Sequence, residues 1–223
     1  MQKAIKEEPR WHAAIAVVAA LVLYVTLPPR LVIGPVWVLP AALLVILVPL
    51  MIVAPHRHEE ASWQRWLSIA HIAVLNAFNV ATIVLLFFWQ LSSHHQRHLT
   101  GEDLLVAAVQ IWLTNVIVYA LWFWEVDGHG PDARRHMTFE QEPGRADFLF
   151  PQMSLQPDIR KRIEWKPMFI DYVFLSFTNA TAFSPTDTFP LSRFAKVLMM
   201  AQALTSLVTI AIIAGRAINI LGS

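Results

Sequence analysis

The chain has 223 residues, of which 56% are hydrophobic and 15% charged, and its formal net charge is +1. This composition predicts an integral membrane protein. The absence of cysteine excludes disulfides, thiolate catalysis and cysteine-based zinc or iron–sulfur sites. Because the Lys and Arg residues stand beside apolar segments and the net charge is small, we expect no nucleic-acid partner.

Five apolar segments are long enough to cross about 30 Å of hydrocarbon at about 1.5 Å per helical residue. They cover residues 11–27, 31–54, 66–91, 104–126 and 194–221. The first and shortest follows a basic tail, but no small-residue cleavage site comes after it, so we interpret it as a retained span. The sequence therefore predicts an all-α, multi-pass protein of the cell membrane, expected in a bacterial inner membrane with the lipid bilayer as its partner.

The third and fourth predicted spans carry polar side chains in otherwise apolar sequence, namely His71, Asn76, Asn79, Thr82, Gln110, Thr114 and Asn115. We favour interhelical hydrogen bonds worth about 0.6 to 2 kcal/mol each, because polar groups in hydrocarbon need partners. The alternative is a polar conduit between the two helices.

Residues 171–181 are predicted to form a helix, which is too polar and too short to span a membrane. Pro185 fixes its own φ and moves Ser184 out of the α region, so the chain becomes extended there. Extended backbone at membrane depth is tolerated only inside protein or along a water-filled cavity. Ser192 is placed to cap a last apolar helix. We therefore predict a re-entrant hairpin, added to about five spans.

The stretch from Thr181 to Asp187 resembles the pore module of tetrameric potassium-channel-like cation channels. The family's signature reads Thr, Thr, Val, Gly, aromatic, Gly, Asp; this chain reads Thr, Ala, Phe, Ser, Pro, Thr, Asp. The first Thr and the last Asp match, whereas Ser184 and Thr186 replace the glycines that give a potassium filter its alternating backbone conformations. The C-terminal region also resembles a group of uncharacterised bacterial multi-pass membrane proteins.

The apolar segments predict three N-terminal transmembrane helices in residues 1–100, and the resemblance implies that residues 101–223 form a channel-like pore module. The module would comprise an outer helix at 104–126, a polar connecting segment at 127–166, a pore helix and filter-like loop at 167–191, and an inner helix at 192–221. It also implies a homotetramer that conducts a monovalent or divalent cation passively, with weak or unconventional selectivity because the filter glycines are replaced.

The ion pathway that the resemblance implies consists of Thr181, Ser184, Thr186 and Asp187. Four copies of Asp187 would ring one end of a narrow path, and the oxygen atoms of the other three residues suit hard cations. Alternatively, Asp187 is a turn residue that caps backbone N–H groups before Pro190. For Asp171 we favour a structural role, as a first-turn acid that complements the helix dipole.

The last predicted helix carries a polar stripe whose members recur with the 3.6-residue period, namely Gln202, Thr205, Ser206 and Thr209. As the pore-lining face of an inner helix, this stripe would line an aqueous path. The pattern is equally typical of the face by which a membrane helix packs on its neighbours.

Residues 127–166 form a long polar segment that is too short and too charged for an independent domain. We expect it to lie on the membrane surface, anchored by Phe148, Phe150 and Trp165. With five spans, fourteen of the 17 Lys and Arg residues fall on the side of this segment, which places it and the hairpin on the cytoplasmic face. A potassium-channel-like pore requires the hairpin outside, and six spans, with residues 168–184 crossing fully, would reconcile the two.

Histidines cluster at His56 and His58 and again at His94, His95 and His98. About 26 helical residues separate the clusters, so they cannot share one ion, and we interpret them as solvated residues beside the membrane, with no metal and no cofactor expected. The alternative is a surface zinc site at His94, His95 and His98. The sequence shows no nucleophile with its base, phosphate-binding loop or paired carboxylates, so no enzyme is predicted. The leading hypothesis is passive cation conduction; the alternative is a non-conducting membrane scaffold or partner-binding subunit.

Overall fold

The computed structural model describes residues 11–32, 34–43, 45, 62–91, 101–135, 145–163, 165–181 and 187–221. The described α-helices are α1 (Trp11–Val25), α2 (Ser62–Leu91), α3 (Gly101–Val126), α4 (Pro131–Arg135), α5 (Pro157–Ile163), α6 (Phe169–Thr181) and α7 (Arg193–Leu221). There are two short described strands, β1 (Phe148–Leu149) and β2 (Phe189–Pro190). The described 3₁₀ turns are Pro29–Leu31, Asp127–His129 and Pro151–Ser154, and a further helical stretch covers residues 38–43.

Three of these helices are long and apolar enough to cross a membrane, over Arg65–Phe88, Glu102–His129 and Arg193–Gly215. They correspond to the predicted third, fourth and fifth spans. The helix α1 is apolar too and, with 15 described residues, is shorter than these three. The predicted second span is described only in part, over residues 31–32, 34–43 and 45. The protein is therefore mostly helical, with three helices that fit a membrane protein.

The helix α3 is the centre of the bundle, because α1, α2, α6 and α7 all pack against it. Small side chains let these neighbours approach, since Ala107, Ala108 and Ala120 are completely buried. The apolar stretch of α3 is 61% buried, whereas that of α7 is 22% buried. One face of α7 therefore contacts the protein, and the other carries exposed apolar side chains such as Met200 and Leu204.

The start of α6 and the strand β2 lie at the same end of α3. Near the start of α6, the Tyr172 hydroxyl donates a hydrogen bond to Asp127, just beyond the end of α3. The strand β2 pairs antiparallel with β1, so that Phe148 faces Pro190, and the Leu191 N–H donates to the Asp147 carbonyl at 2.8 Å. The helix α7 then begins at this same end. We call it the Asp127 end of the bundle.

The predicted start of the last helix is confirmed. The Ala195 N–H donates to the Ser192 hydroxyl at 3.1 Å, which satisfies one of the backbone donors that a helix leaves unpaired in its first turn.

The predicted surface anchors are wrong for Phe148 and Phe150, which are 0% and 3% exposed. Strand pairing places them against the bundle: the Phe148 ring centre lies 5.1 Å from that of Phe123, and the Phe150 ring centre 5.4 Å from that of Tyr172. Trp165 is half-buried and packs on Phe150 at 5.5 Å. These aromatic side chains join the connecting segment to the helices and do not reach outward.

Candidate functional site

A set of hydrogen-bonded polar side chains lies where α2, α3, α6 and α7 meet in the middle of the bundle. We call this set the polar seam; its members are Asn79, Asn115, Ser176, Asn179, Gln202, Thr205 and Ser206. It contains three of the four residues predicted for a pore-lining inner helix. The fourth, Thr209, lies one turn farther along α7 and is completely buried.

Gln202 joins α7 to α6. Its Nε2 group donates to the carbonyl and the hydroxyl of Ser176 at 2.9 and 2.6 Å, and its Oε1 atom accepts a bond of 2.8 Å from Asn179. Ser176 in turn donates to the Val116 carbonyl of α3 at 2.6 Å. The Gln202 side chain is 0% exposed, so its amide is removed from solvent and bonded on both sides.

Asn115 joins α3 to α7 and α2. Its Nδ2 group donates to the Ser206 hydroxyl at 2.7 Å. Its Oδ1 atom accepts bonds from Thr205 at 3.2 Å and, more weakly, from Asn79 at 3.4 Å. Since Asn115 and Ser206 are at most 1% exposed, these contacts form in the dry interior, where a satisfied polar group is far more favourable than an orphaned one.

The remaining hydroxyl of the α7 stripe bonds within its own helix. Thr209 donates to the Thr205 carbonyl at 2.8 Å, the backbone acceptor one turn earlier. The described contacts of the stripe are therefore those of the packing alternative, made with helices of the same chain. A pore-lining role for Gln202, Thr205, Ser206 and Thr209 stays a prediction.

Some polar residues of α2 and α3 bond between helices, whereas the Thr82 and Thr114 hydroxyls donate to carbonyls of their own helices. Besides the Asn79 and Asn115 contact, Gln110 Nε2 donates to the hydroxyl of Thr26, just beyond α1, at 3.0 Å. These bonds confirm the interhelical interpretation for Asn79, Gln110 and Asn115. His71 differs, because it is buried and neither ring nitrogen has a hydrogen-bond partner in the described part of the chain.

A cavity of about 10 Å³ lies between α1, α2 and α3, next to Asn79 and Thr82. A volume of this size is about the minimum for one water molecule. It provides no continuous path along the helices.

The filter-like residues are described only at the ends of their loop. Thr181 is the last residue of α6, is half-buried, and donates to the Thr178 carbonyl at 3.0 Å. Ser184 and Thr186 lie outside the described residues. Asp187 is exposed, and its carboxylate has no hydrogen bond to any residue that the structure describes. Its roles in the ion pathway and as a turn residue both stay predictions.

Asp171 has the structural role that we favoured. Its Oδ2 atom accepts a 2.7 Å bond from the Met168 N–H, at the start of α6. Partial burial raises the pKa of the Asp171 carboxyl, and this hydrogen bond to its charged form acts in the opposite direction. The acid therefore caps its own helix.

Sequence reasoning missed a buried charged cluster at the Asp127 end of the bundle. We call it the Asp127 cluster; it consists of Asp127, Arg134 and Tyr172, which are at most 7% exposed. Asp127 Oδ1 accepts bonds from the backbone N–H groups of Asp147 and Phe148 at 2.7 and 3.2 Å, and its Oδ2 accepts the Tyr172 hydroxyl proton at 2.6 Å. The carboxylate is thus satisfied by three donors from two distant parts of the chain.

Arg134 closes the cluster from the other side. Its Nη1 group donates to the Trp124 carbonyl at 2.8 Å and to the Asp127 carbonyl, and its guanidinium lies 5.1 Å from the centre of the Tyr172 ring. The turn between Asp127 and α4 returns the chain to this position, with Gly128 and Gly130 at positive φ angles of 56° and 102°. The sequence signal for this cluster is an acid at the end of an apolar span, followed by two glycines and an arginine.

No group of His, Asp and Glu residues in the described ranges could hold a metal ion. The two histidine clusters predicted to be solvated, at 56 and 58 and at 94, 95 and 98, lie outside those ranges.

Comparison of the chain with protein-family models, with curated proteins and with solved structures finds no match in any of the three.

Proposed function

We propose that this protein is a non-conducting, multi-pass membrane protein that acts as a scaffold or partner-binding subunit, with residues 169–191 as a re-entrant structural insert. The single observation that supports this proposal best is the burial and hydrogen bonding of the Gln202 side chain. Its amide is completely buried and bonded to α6 of the same chain. The stripe around it is used for packing.

A water-filled path needs polar side chains that face water. In a pore shared by four copies, they would lie on the surface of each single chain, where the copies meet around the axis. Gln202, Ser206 and Thr209 are at most 1% exposed within one chain. To bring them to a shared axis, each chain would have to open and lose interhelical bonds worth about 0.6 to 2 kcal/mol each.

The topology that we propose has five spans and the hairpin on the cytoplasmic face of a bacterial inner membrane. The count of Lys and Arg residues supports this orientation, since fourteen of the 17 fall on one side of the membrane in a five-span topology. The return of residues 169–191 to the end from which they start supports a re-entrant hairpin over a full crossing. The burial of the α7 stripe does not depend on either choice.

A second candidate function is passive cation conduction by a homotetramer, with weak or unconventional selectivity. The exposure of Asp187 supports it, because an acid beside a hairpin is available to solvent and to cations. In this candidate the path runs along the loop near Asp187, and the stripe of α7 plays no part in it.

Flux from vesicles distinguishes the two candidates. The purified chain is reconstituted into liposomes that carry a cation-sensitive dye, and Na⁺, K⁺ and Ca²⁺ are tested against liposomes that contain a known ionophore. The proposal predicts flux equal to that of empty liposomes and no difference between the parent chain and Asp187→Asn. Flux above that level that Asp187→Asn reduces would overturn it in favour of conduction.

A further inference from the structure

The helix α5 presents an apolar surface that no described part of the chain covers. Ile159 and Ile163 stand one turn apart on this helix and form a stripe on one face, because residues four apart lie on the same side. Leu155 lies just before the helix, where the backbone is extended. The side chains of Ile159, Ile163 and Leu155 are 42%, 47% and 40% exposed, respectively.

Basic residues stand on both sides of this stripe. At 3.6 residues per turn, Arg160 and Arg162 each lie about 80° from the line midway between Ile159 and Ile163. The Arg162 side chain is exposed. An apolar stripe between two arginines is the pattern of a helix lying in a membrane interface, where aliphatic side chains enter the acyl boundary and guanidinium groups reach the headgroups.

The position of α5 in the fold brings it to the level of the membrane surface. On its N-terminal side Phe150 packs on Tyr172, and on its C-terminal side Phe169 packs on Trp124 at 5.9 Å, near the end of a span. Both flanks of α5 are therefore fixed at the Asp127 end of the bundle.

The charges around α5 favour an anionic partner. Arg193 and Lys196, on the first turns of α7, are exposed at the same end of the bundle. Two of the nearby acids are turned inward, since Asp147 accepts a bond from the Gly128 N–H and Asp171 one from the Met168 N–H. Among the described residues at this end, the exposed basic side chains are Arg145, Arg162, Arg193 and Lys196, and the exposed acids are Asp158 and Asp187. This excess of positive charge suits the anionic lipids of a cytoplasmic leaflet.

We propose that α5 is a lipid-binding element, which inserts the stripe of Ile159 and Ile163 into the bilayer interface, with Leu155 just before it, and binds anionic phospholipid headgroups through the exposed Arg162. The bilayer is the occupant of the exposed stripe. This inference does not depend on whether the protein conducts ions.

The lack of cysteine makes a direct test possible, because one substitution introduces the only thiol of the chain. The full chain with Ile159→Cys is labelled with a polarity-sensitive fluorophore and reconstituted into vesicles of phosphatidylcholine, to which increasing fractions of phosphatidylglycerol are added. In phosphatidylcholine alone, we expect the fluorophore at residue 159 to emit as it does in water. As phosphatidylglycerol is added, its emission should shift to that typical of an apolar environment. A label at Asp158→Cys, about 120° from the centre of the stripe, should remain in water throughout.

Charge removal then tests the headgroup contact. Arg162→Gln, made in the Ile159→Cys chain, should raise the phosphatidylglycerol fraction needed for half of the emission change by about five-fold, as expected for about 1 kcal/mol per basic residue near an anionic surface. The matched control is Arg30→Gln, which removes an exposed arginine near Thr26, in the half of the bundle away from Asp127.

Three results would overturn the proposal. The label at residue 159 could stay in water in both lipids, which would mean that the stripe faces solvent or another protein. It could report an apolar environment in phosphatidylcholine alone, which would mean that anionic headgroups contribute nothing. Finally, Arg162→Gln could shift the phosphatidylglycerol fraction at half of the emission change no more than Arg30→Gln does, which would mean that Arg162 does not contact the headgroups.

Discussion

The polar seam and the Asp127 cluster are two sets of buried polar groups in the described part of the protein, and they are built differently. The polar seam, in the middle of the bundle, consists of amides and hydroxyls such as Gln202 and Asn115, which bond to one another and to carbonyl groups. The Asp127 cluster, at one end, contains a carboxylate and a guanidinium. The charged groups of the cluster thus lie at the end of a helix that could span a membrane, whereas the seam, in the middle of the bundle, contains only neutral groups. In hydrocarbon an ion would be most expensive at mid-depth.

This difference implies different tasks. The seam joins α2, α3, α6 and α7 to one another, through bonds such as that between Asn115 and Ser206. The cluster instead joins the end of α3 to the start of α6 and to β1, since it ties Asp127 to Tyr172 and to the backbone at Phe148. The predicted effects below follow from this division and are given from the largest to the smallest.

Asp127→Ala should have the largest effect on stability. It leaves Arg134 buried beside an empty position and removes the acceptor of three hydrogen bonds. We expect the free energy of unfolding in detergent to fall by about 3 to 5 kcal/mol, as when one member of a buried charged pair is removed. Asp158→Ala, which removes an exposed acid, is the control and should change it by less than about 0.5 kcal/mol. Equal effects of the two substitutions would mean that the cluster does not hold the fold together.

Tyr172→Phe sharpens this result, because it removes a single bond from the cluster. The ring keeps its contacts with Phe150 and with Arg134, but the hydroxyl that donates to Asp127 at 2.6 Å is lost. Hydrogen bonds to charged groups contribute about 1.5 to 3 kcal/mol, and we expect a loss of stability in this range. If the variant is as stable as the parent, the carboxylate is satisfied without Tyr172.

Gln202→Met tests the polar seam in the same assay. Methionine has a similar shape but leaves Ser176 and Asn179 without their partner, so we expect a loss of about 0.6 to 2 kcal/mol. Met200→Leu, on the exposed apolar face of the same helix, should have almost no effect. If Gln202→Met left stability unchanged but altered ion flux, the seam would serve conduction and not packing.

The smallest expected effect is on pH dependence. Because burial raises the pKa of Asp171 in the folded chain, the folded state holds this proton at pH values where the unfolded state has released it. Stability should therefore fall as pH rises from the ordinary carboxyl range through the raised value. Asp171→Asn should flatten that part of the unfolding profile relative to the parent, whereas Asp158→Asn should not. If the pH profile of unfolding were the same in Asp171→Asn as in the parent chain, Asp171 would not be the source of this pH dependence.

The sequence was sufficient for the long helices and for the start of the last one. The predicted spans at 66–91, 104–126 and 194–221 match α2, α3 and α7 closely, because apolar runs of that length have few alternatives to a helix. Ser192 was identified as a cap from local chemistry alone. These features depend on residues that are neighbours in sequence.

The contacts of the polar side chains could not be derived in the same way. The period of Gln202, Thr205, Ser206 and Thr209 shows that they share a face but not what that face meets. That depends on how α3 and α6 pack, as the bond between Asn115 and Ser206 illustrates. The contact between Asp127 and Tyr172 likewise joins residues 45 positions apart. Phe148 and Phe150 were misplaced for the same reason, since strand pairing far along the chain buries them.

The central claim is that the α7 stripe is sealed inside a single chain, and thiol accessibility tests it most directly. Ser206→Cys is a nearly isosteric change that gives the chain one thiol at a residue that is 1% exposed. Lys196→Cys, near the exposed start of α7, provides the accessible reference. With the protein in liposomes and a charged, water-soluble methanethiosulfonate reagent, we predict that the thiol at 206 reacts only after denaturation, while that at 196 reacts at once. Rapid modification at 206 in the folded protein would show that water reaches the stripe, and would contradict the account.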